Sequence, residues 1–213
     1  MSNKRGHKWF AAFYERLVRM ESKAEREARK RLLSTASGRV LEIGCGPGAN
    51  FEYYPWEQIT QFVTIEPDPY MLERGRKTAA RLGRDVDLRE SGAEDLPFPD
   101  DSFDTVIASL VLCTIPHPEK ALAEMLRVLV PGGTLRFMEH VRSRNRLGAL
   151  AQDISTPVWS WMAGGCQPNR DTEASIRATG FAITEISHPN LVPPVPPLAL
   201  AKPMIFGTAI KPE

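Results

Sequence analysis

The stretch Val40-Leu41-Glu42-Ile43-Gly44-Cys45-Gly46-Pro47-Gly48 decides the fold: an apolar strand with one acidic residue runs straight into a glycine turn. Glycine lets the chain turn sharply and brings backbone N–H groups close to a ligand, and Glu42 can accept hydrogen bonds from a cationic group. The spacing is G-x-G-x-G, not the G-x-G-x-x-G of dinucleotide folds, and Pro47 stands where a pyrophosphate would need a backbone donor. The turn therefore reads as a nucleoside-cofactor site of another kind.

Further along, Phe62-Val63-Thr64-Ile65-Glu66 is a β-branched, apolar run that ends in a carboxylate. A carboxylate at the end of the second strand of an α/β unit is placed to take both hydroxyls of a ribose, which makes Glu66 the candidate for that role. The polar loop Ser91-Gly92-Ala93-Glu94-Asp95-Leu96-Pro97-Phe98 can hold an adenine after a third strand. Strands are expected near 39–43, 61–65, 86–89, 104–109 and 134–139, with helical patterns near 49–54, 69–82 and 118–129. Glu173 to Thr179 reads as one more helix, ended by Gly180 and followed by strands at 181–187 and 205–210. This alternation implies an α/β, Rossmann-like fold: a seven-stranded, mostly parallel sheet with an antiparallel C-terminal hairpin and helices on both faces. The proline-rich segment from His188 to Pro203 is expected to be a stiff surface loop over the substrate mouth.

The order of these motifs resembles the class I S-adenosylmethionine-dependent methyltransferases, through residues 41–48, Glu66, residues 93–98, Phe103-Asp104 and Arg127-Val128-Leu129-Val130-Pro131-Gly132-Gly133. The resemblance implies S-adenosylmethionine as methyl donor, with S-adenosylhomocysteine as product. It puts Glu42 and the turn of Gly44, Cys45, Gly46 and Gly48 at the methionine part, Glu66 at the ribose, and Ala93 and Glu94 at the adenine. Pro67 and Met71 would pack along the nucleoside, Ser109 would lie beneath the sulfonium, and Tyr14 would belong to a lid. A closer likeness runs from about Gly38 onward. Gly48-Ala49-Asn50-Phe51, Leu110-Val111-Leu112-Cys113, Phe137-Met138-Glu139-His140-Val141, Gly165-Cys166 and Ile205-Phe206-Gly207 are similar to the methyltransferase-like thiol S-methyltransferases, which are membrane-associated and carry an apolar N-terminal anchor. No such apolar block stands in Met1 to Leu33, so a soluble, cytoplasmic relative is expected.

A chain of 213 residues with 42% hydrophobic and 25% charged residues fits one globular methyltransferase domain over 38–213, preceded by an N-terminal helix or lid over 1–37. The net charge of +1 gives no reason to expect nucleic acid as a partner. Residues 1–33 nevertheless carry ten Lys or Arg against four Glu. From Trp9 to Leu33 the apolar positions Phe10, Phe13, Leu17, Met20, Ala24, Ala28 and Leu32 recur every three or four residues, so one amphipathic helix is expected, packed on the domain or in weak contact with a membrane surface. Three cysteines, Cys45, Cys113 and Cys166, lack C-x-x-C spacing, which indicates neither a disulfide framework nor a zinc site.

Ligands gather at the carboxyl ends of strands in open α/β sheets, a rule that selects the segment from Ser109 to Cys113 and the pair Glu139-His140. His140 is the candidate for orienting or deprotonating a small-molecule methyl acceptor; the plain alternative is a histidine satisfied by hydrogen bonds beside the sheet. Glu139 either holds His140 or has a structural role. Cys45 and Cys113 are expected to pack, Cys166 to form a pocket wall, and Trp159, Trp161 and Met162 to line an acceptor pocket or form a lid. Asn169 and Arg170 are expected to begin the following helix, with Asn169 as its cap. The favoured activity is methylation of a small apolar thiol. The alternatives are C- or O-methylation of a quinone precursor or lipid-like molecule, a nicotinamide-dependent oxidoreductase, and a non-catalytic nucleoside sensor.

Overall fold

A computed structural model describes residues 8–19, 21–189, 198–201 and 203–213. Strands β1 (Gly38–Ile43), β2 (Ile59–Ile65), β3 (Asp87–Arg89), β4 (Phe103–Ser109), β5 (Leu129–His140), β6 (Ala182–Ser187) and β7 (Met204–Ile210) form one sheet in the order β3-β2-β1-β4-β5-β7-β6. The first five strands pair in parallel and β7 pairs antiparallel to both β5 and β6, as the strand alternation predicts. The order reverses between β1 and β4, and a crevice opens at their carboxyl ends at such a switch point.

Two apolar layers cover the sheet, and the period of two along each strand decides which residue joins which layer. Leu41, Ile43, Val63, Ile65, Val106 and Ala108 pack on one side with Leu122 and Met125 of α4 (Pro118–Val128). Val40, Phe62 and Ile107 pack on the other with Phe51, Ala79 of α3 (Pro69–Arg81), and Leu32 and Leu33 of the N-terminal region. Glu42 falls on the face of Val40. Its carboxyl group is thereby carried into the second layer, where it is 1% exposed.

The N-terminal amphipathic segment folds as two helices, α1 (Lys8–Arg19) and α2 (Lys23–Leu33), where the apolar stripe suggests one. A capping box breaks it: Ser22 accepts from the Glu25 N–H while the Glu25 carboxylate takes the Ser22 N–H at 2.7 Å. Met20 lies outside the described residues, as do 190–197 and Lys202 of the expected proline-rich loop. The expected helix at 49–54 is a run of turns instead, with Phe51 and Tyr53 N–H groups closing on Gly48 and Asn50.

Helix α5 (Arg146–Met162) has no counterpart in the expectations from sequence, because Gly148 and Pro157 interrupt its pattern. It persists because Asn145 caps its first turn and buried Gln152 ties it down, reaching the carbonyls of Val141, Pro168 and Leu200 and accepting from the Ser143 N–H. Its outer face carries Leu147, Leu150, Ile154, Val158 and Trp161, all exposed. The last helix, α6 (Thr172–Ala178), is capped by Asp171. Asn169, the expected cap, instead donates to Asp153, and Arg170 reaches the Leu112 and Ile115 carbonyls. Among the described residues no helix is long and apolar enough to cross a membrane.

Candidate active site

Glycines 44, 46 and 48 have φ of +67°, +54° and +82°, so the turn after β1 uses the left-handed backbone that side chains resist. Gly44 and Cys45 N–H groups close on the Ile65 carbonyl, which joins the turn to the end of β2. Glu66 completes the joint: one carboxylate oxygen accepts from the Gly46 N–H at 2.9 Å and the other from the Asp68 N–H at 3.0 Å. Each oxygen keeps a further lone pair for a ligand hydroxyl. Burial, against these two hydrogen bonds, pushes the Glu66 carboxyl up to about 7.

Glu42 is held differently. Asn50 Nδ2 donates to Oε1 at 2.5 Å, while buried Oε2 lies beside the buried Tyr54 hydroxyl without a hydrogen bond of ordinary geometry between them. Burial pushes this carboxyl as well to about 7. A buried carboxyl at the carboxyl end of β1, just before the glycine turn, fits a site that receives an ammonium group, which is the cationic end of the methionine part of S-adenosylmethionine. The donor set therefore suits that cofactor: Glu42 for the ammonium, the turn backbone for the carboxylate end, and Glu66 for the ribose. Ala93 is buried beyond Glu66 with half-buried Glu94 beside it; Met71 is buried at the start of α3, whereas Pro67 is exposed. Ser109 closes β4 next to β1 and is half-buried.

The N-terminal helices cover this crevice. Tyr14 of α1 lies over the turn, its Cε1 3.8 Å from where a side chain on Gly46 would begin, and burial pushes its hydroxyl up to about 12. From α2, buried Arg29 reaches Asn50 Oδ1 at 2.5 Å and Ser109 Oγ at 3.4 Å, and pairs with Glu21. A chain of polar groups, Glu21–Arg29–Asn50–Glu42, thus crosses from the N-terminal helices to the end of β1. Neither Arg29 nor Glu21 stands out in the sequence, since each is one of many charges on an N-terminal helix. Asn50 has a signal in its place just after the glycine turn. A cleft of about 780 Å³ between α1 and α3, lined by Glu15, Tyr70, Arg74 and Lys77, reaches the glycine turn at Pro47 and Gly48. Glu42, Glu66 and Ser109 are not part of its lining.

A proton count tests the Glu42 assignment. Its carboxyl titrates near 7 instead of 4.5, so the stability of the ligand-free fold that depends on neutral Glu42 is present at low pH and lost as pH rises through 7. An ammonium partner lowers that value again. S-adenosylhomocysteine binding between pH 6 and 7 is therefore expected to release up to about one proton and to tighten as pH rises, with release vanishing above about pH 8.5. Because the Glu66 carboxyl also sits near 7, calorimetry in buffers of different ionisation enthalpy compares the protein with Glu42→Gln; a proton release unchanged in that variant, or pH-independent, proton-neutral binding by the unmodified protein, would remove Glu42 from the ammonium site.

On the acceptor side, Leu110 turns the chain after β4 with φ of +57°, an unusual conformation for a leucine. The turn aims three consecutive N–H groups, of Val111, Leu112 and Cys113, at the Glu139 carboxylate at 2.8, 2.9 and 3.2 Å. Glu139 is fully buried and its oxygens are occupied by the backbone, which makes it a positioning residue for this turn rather than a group that meets the acceptor. His140, next along β5, is half-buried and its Nδ1 lies 3.7 Å from Cys166 Sγ. The Cys113 thiol and His140 make Cys166 the more acidic of the two thiols, while Cys113 is pushed up. The Trp159 indole N–H is buried on the Cys166 side, without a hydrogen bond of ordinary geometry. Trp161 and Met162, expected to line an acceptor pocket or form a lid, are 80% and 51% exposed.

Comparison with known proteins agrees with this layout. Residues 41–137 match the methyltransferase domain family. Thiol S-methyltransferase TMT1B of Homo sapiens is 35% identical over 201 residues, 91% of this chain and 80% of that protein. The ubiquinone/menaquinone biosynthesis C-methyltransferase UbiE of Pseudomonas savastanoi pv. phaseolicola is 35% identical over 159 residues, 71% of this chain and 59% of its own length. In fold, the chain superimposes on an S-adenosylmethionine-dependent methyltransferase from Mesorhizobium loti with a TM-score of 0.67, at 20% identity, covering 89% of this chain and 98% of the other. The strand order that reverses at β1/β4, with the buried carboxyls of Glu42 and Glu66 beside the crevice it opens, agrees with these likenesses, and the chain belongs to the class I S-adenosylmethionine-dependent methyltransferases, in the family that includes the thiol S-methyltransferase of Homo sapiens.

Proposed function

We propose that the protein methylates the sulfur of a small, rather apolar thiol by direct in-line transfer. The observation that carries the reading is His140, a half-buried imidazole at the carboxyl end of β5, one strand over from the Ser109 end of β4. S-adenosylmethionine, when bound, supplies an electrophilic methyl group. The chain's own task is to hold a nucleophile in line in a site closed to water, and positioning of this kind is worth about 7–11 kcal/mol of a barrier. Val111, Leu112 and Cys113, fixed by Glu139, and Trp159 supply the wall against which an apolar acceptor rests. His140 takes the acceptor's proton. The likeness to the human thiol S-methyltransferase supports sulfur as the accepting atom.

A thiol with a reference pKa of about 8.5 is only about 3% thiolate at pH 7, so a base can raise the reactive fraction by at most about thirtyfold. His140→Ala is therefore expected to lower turnover by up to about thirtyfold at pH 7, with little change in S-adenosylhomocysteine affinity, and the deficit should close as pH passes about 9. Rates equal to those of the unmodified protein across the pH range would rule out the base role. The decisive assay is S-adenosylhomocysteine production with a panel of thiols, phenols, quinols and amines. Turnover on thiols supports the reading; turnover on quinols alone would transfer the protein to the second reading, quinone-precursor C- or O-methylation, which the UbiE relative favours.

A further inference from the structure

The cysteines are scattered along the chain with no spacing of a metal motif, yet folding brings two of them together with His140. Cys113 comes from the turn after β4, His140 from the last position of β5, and Cys166 from the loop after α5. One donor atom from each lies within 4.8 Å of the other two. The backbone around them is tied in place. Gln167 N–H donates to the Cys113 carbonyl at 2.8 Å, Cys113 N–H donates to Glu139 at 3.2 Å, and Arg170 grips the carbonyls on either side of Cys113, at Leu112 and Ile115. The two cysteines are 1% and 6% exposed.

In a tetrahedral zinc site, with bonds of about 2.3 Å to sulfur and about 2.0–2.1 Å to nitrogen, adjacent sulfur and nitrogen ligands stand about 3.6 Å apart. The His140 Nδ1 to Cys166 Sγ distance is 3.7 Å. A lone thiol–imidazole hydrogen bond would explain that distance, but it would not call for a second thiol delivered to the same point from a third segment. Two thiolates and a neutral imidazole also balance a divalent charge, so the buried cluster can hold the ion without leaving net charge in a dry place. Three protein donors leave the fourth tetrahedral position open, which is the arrangement of catalytic rather than structural zinc sites. Soft thiolate donors select zinc and its like over magnesium or calcium.

We propose that Cys113, His140 and Cys166 bind a zinc-class divalent cation whose open position takes the sulfur of the methyl acceptor. The acceptor half rests on the thiol reading above; the metal half does not. The incoming thiol exchanges its proton, released to solvent, for a bond to the ion and displaces water from it. Attack of that thiolate on the methyl group of S-adenosylmethionine then breaks the sulfonium C–S bond, S-adenosylhomocysteine leaves with the electron pair, and the methylated acceptor, now a neutral thioether and a weak ligand, frees the position. His140 in this form is a ligand, and the cation rather than the imidazole makes the thiolate. The His140→Ala loss is expected on either view, so the cysteines separate them: a base role needs His140 alone, a metal role needs all three residues.

The test uses the full chain, stripped with a chelator under reducing conditions and titrated with CoCl2. One cobalt per chain is expected, with intense sulfur-to-metal charge-transfer absorption and the strong visible bands of tetrahedral coordination, both lost stoichiometrically on adding ZnCl2. Cys113→Ser and Cys166→Ser are each expected to weaken cobalt binding by about 100-fold or more, since even the loss of an outer-shell partner costs 10–100-fold. Retained S-adenosylhomocysteine binding identifies the variants that are folded. With the metal bound, adding the thiol acceptor should shift the visible bands. Absence of thiolate bands in the reduced wild-type chain, or bands that persist in folded Cys166→Ser, would overturn the site. Stoichiometric tetrahedral metal with no turnover on any thiol would keep the site and sink the thiol reading; equal thiol turnover by stripped and loaded protein would overturn the role in acceptor binding.

Discussion

Glu66→Ala is expected to weaken S-adenosylhomocysteine binding by about 1.5–3 kcal/mol, roughly 10- to 150-fold in Kd. The loss has two parts. The ribose hydroxyls lose a charge-assisted acceptor, and the Gly46 and Asp68 N–H groups lose the carboxylate that holds them at 2.9 and 3.0 Å. Because Gly46 belongs to the same turn as Gly44 and Gly48, the second effect is expected to spread along the whole turn. Glu66→Gln separates them: its single amide oxygen can satisfy one of the two N–H groups, so an intermediate affinity is expected. Titration calorimetry at constant pH and salt measures both variants. An alanine variant with unchanged affinity would take Glu66 out of the site.

Gly207→Ala is expected to destabilise the fold by about 3 kcal/mol and lower Tm by about 6–12 °C. Gly207 sits in β7 between β5 and β6. A methyl group there would lie 2.2 Å from the Glu185 carbonyl oxygen and 2.8 Å from the Phe137 ring, and neither the backbone nor the buried ring can withdraw cheaply. The damage should concentrate in the C-terminal hairpin, with faster amide exchange in β6 and β7. Met204 at the start of β7 pairs with His140, so the acceptor side of the site should suffer more than the glycine turn. Gly132→Ala is the control. Its φ of +76° strains a side chain, but nothing lies within 4 Å, so a loss of about 1–2 kcal/mol is expected. A Gly207→Ala Tm within two or so degrees of wild type would mean that β6 is not packed against β7 in this way.

Much of the architecture is legible because it is local. The glycine turn, the carboxylate ending β2, the order of the strands, and the break before the C-terminal hairpin each rest on a few adjacent residues and are where the pattern expects them, while the helix expected at 49–54 gives way to turns. Helix α5 escapes because Pro157 and Gly148 are locally unfavourable and are overridden by its Asn145 cap and the buried Gln152 knot. The single N-terminal helix divides in two because a capping box competes with the apolar stripe and wins.

The candidate site divides along the same line. Glu42, Glu66 and the three glycines of the turn are determined by the sequence itself, since a strand's period of two and a turn's demand for positive φ are properties of neighbouring residues. Tertiary structure alone decides that Arg29 leaves a run of exposed charges to reach Asn50, that Glu139 faces backbone N–H groups instead of a substrate, and that Trp161 points outward while Trp159 points in. It alone brings Cys113, His140 and Cys166 within 4.8 Å of one another. The physical reason is that these contacts join segments with no fixed separation along the chain. No period or spacing records them, and they exist only once the sheet has set the ends of β4 and β5 side by side and α5 has returned the chain to them.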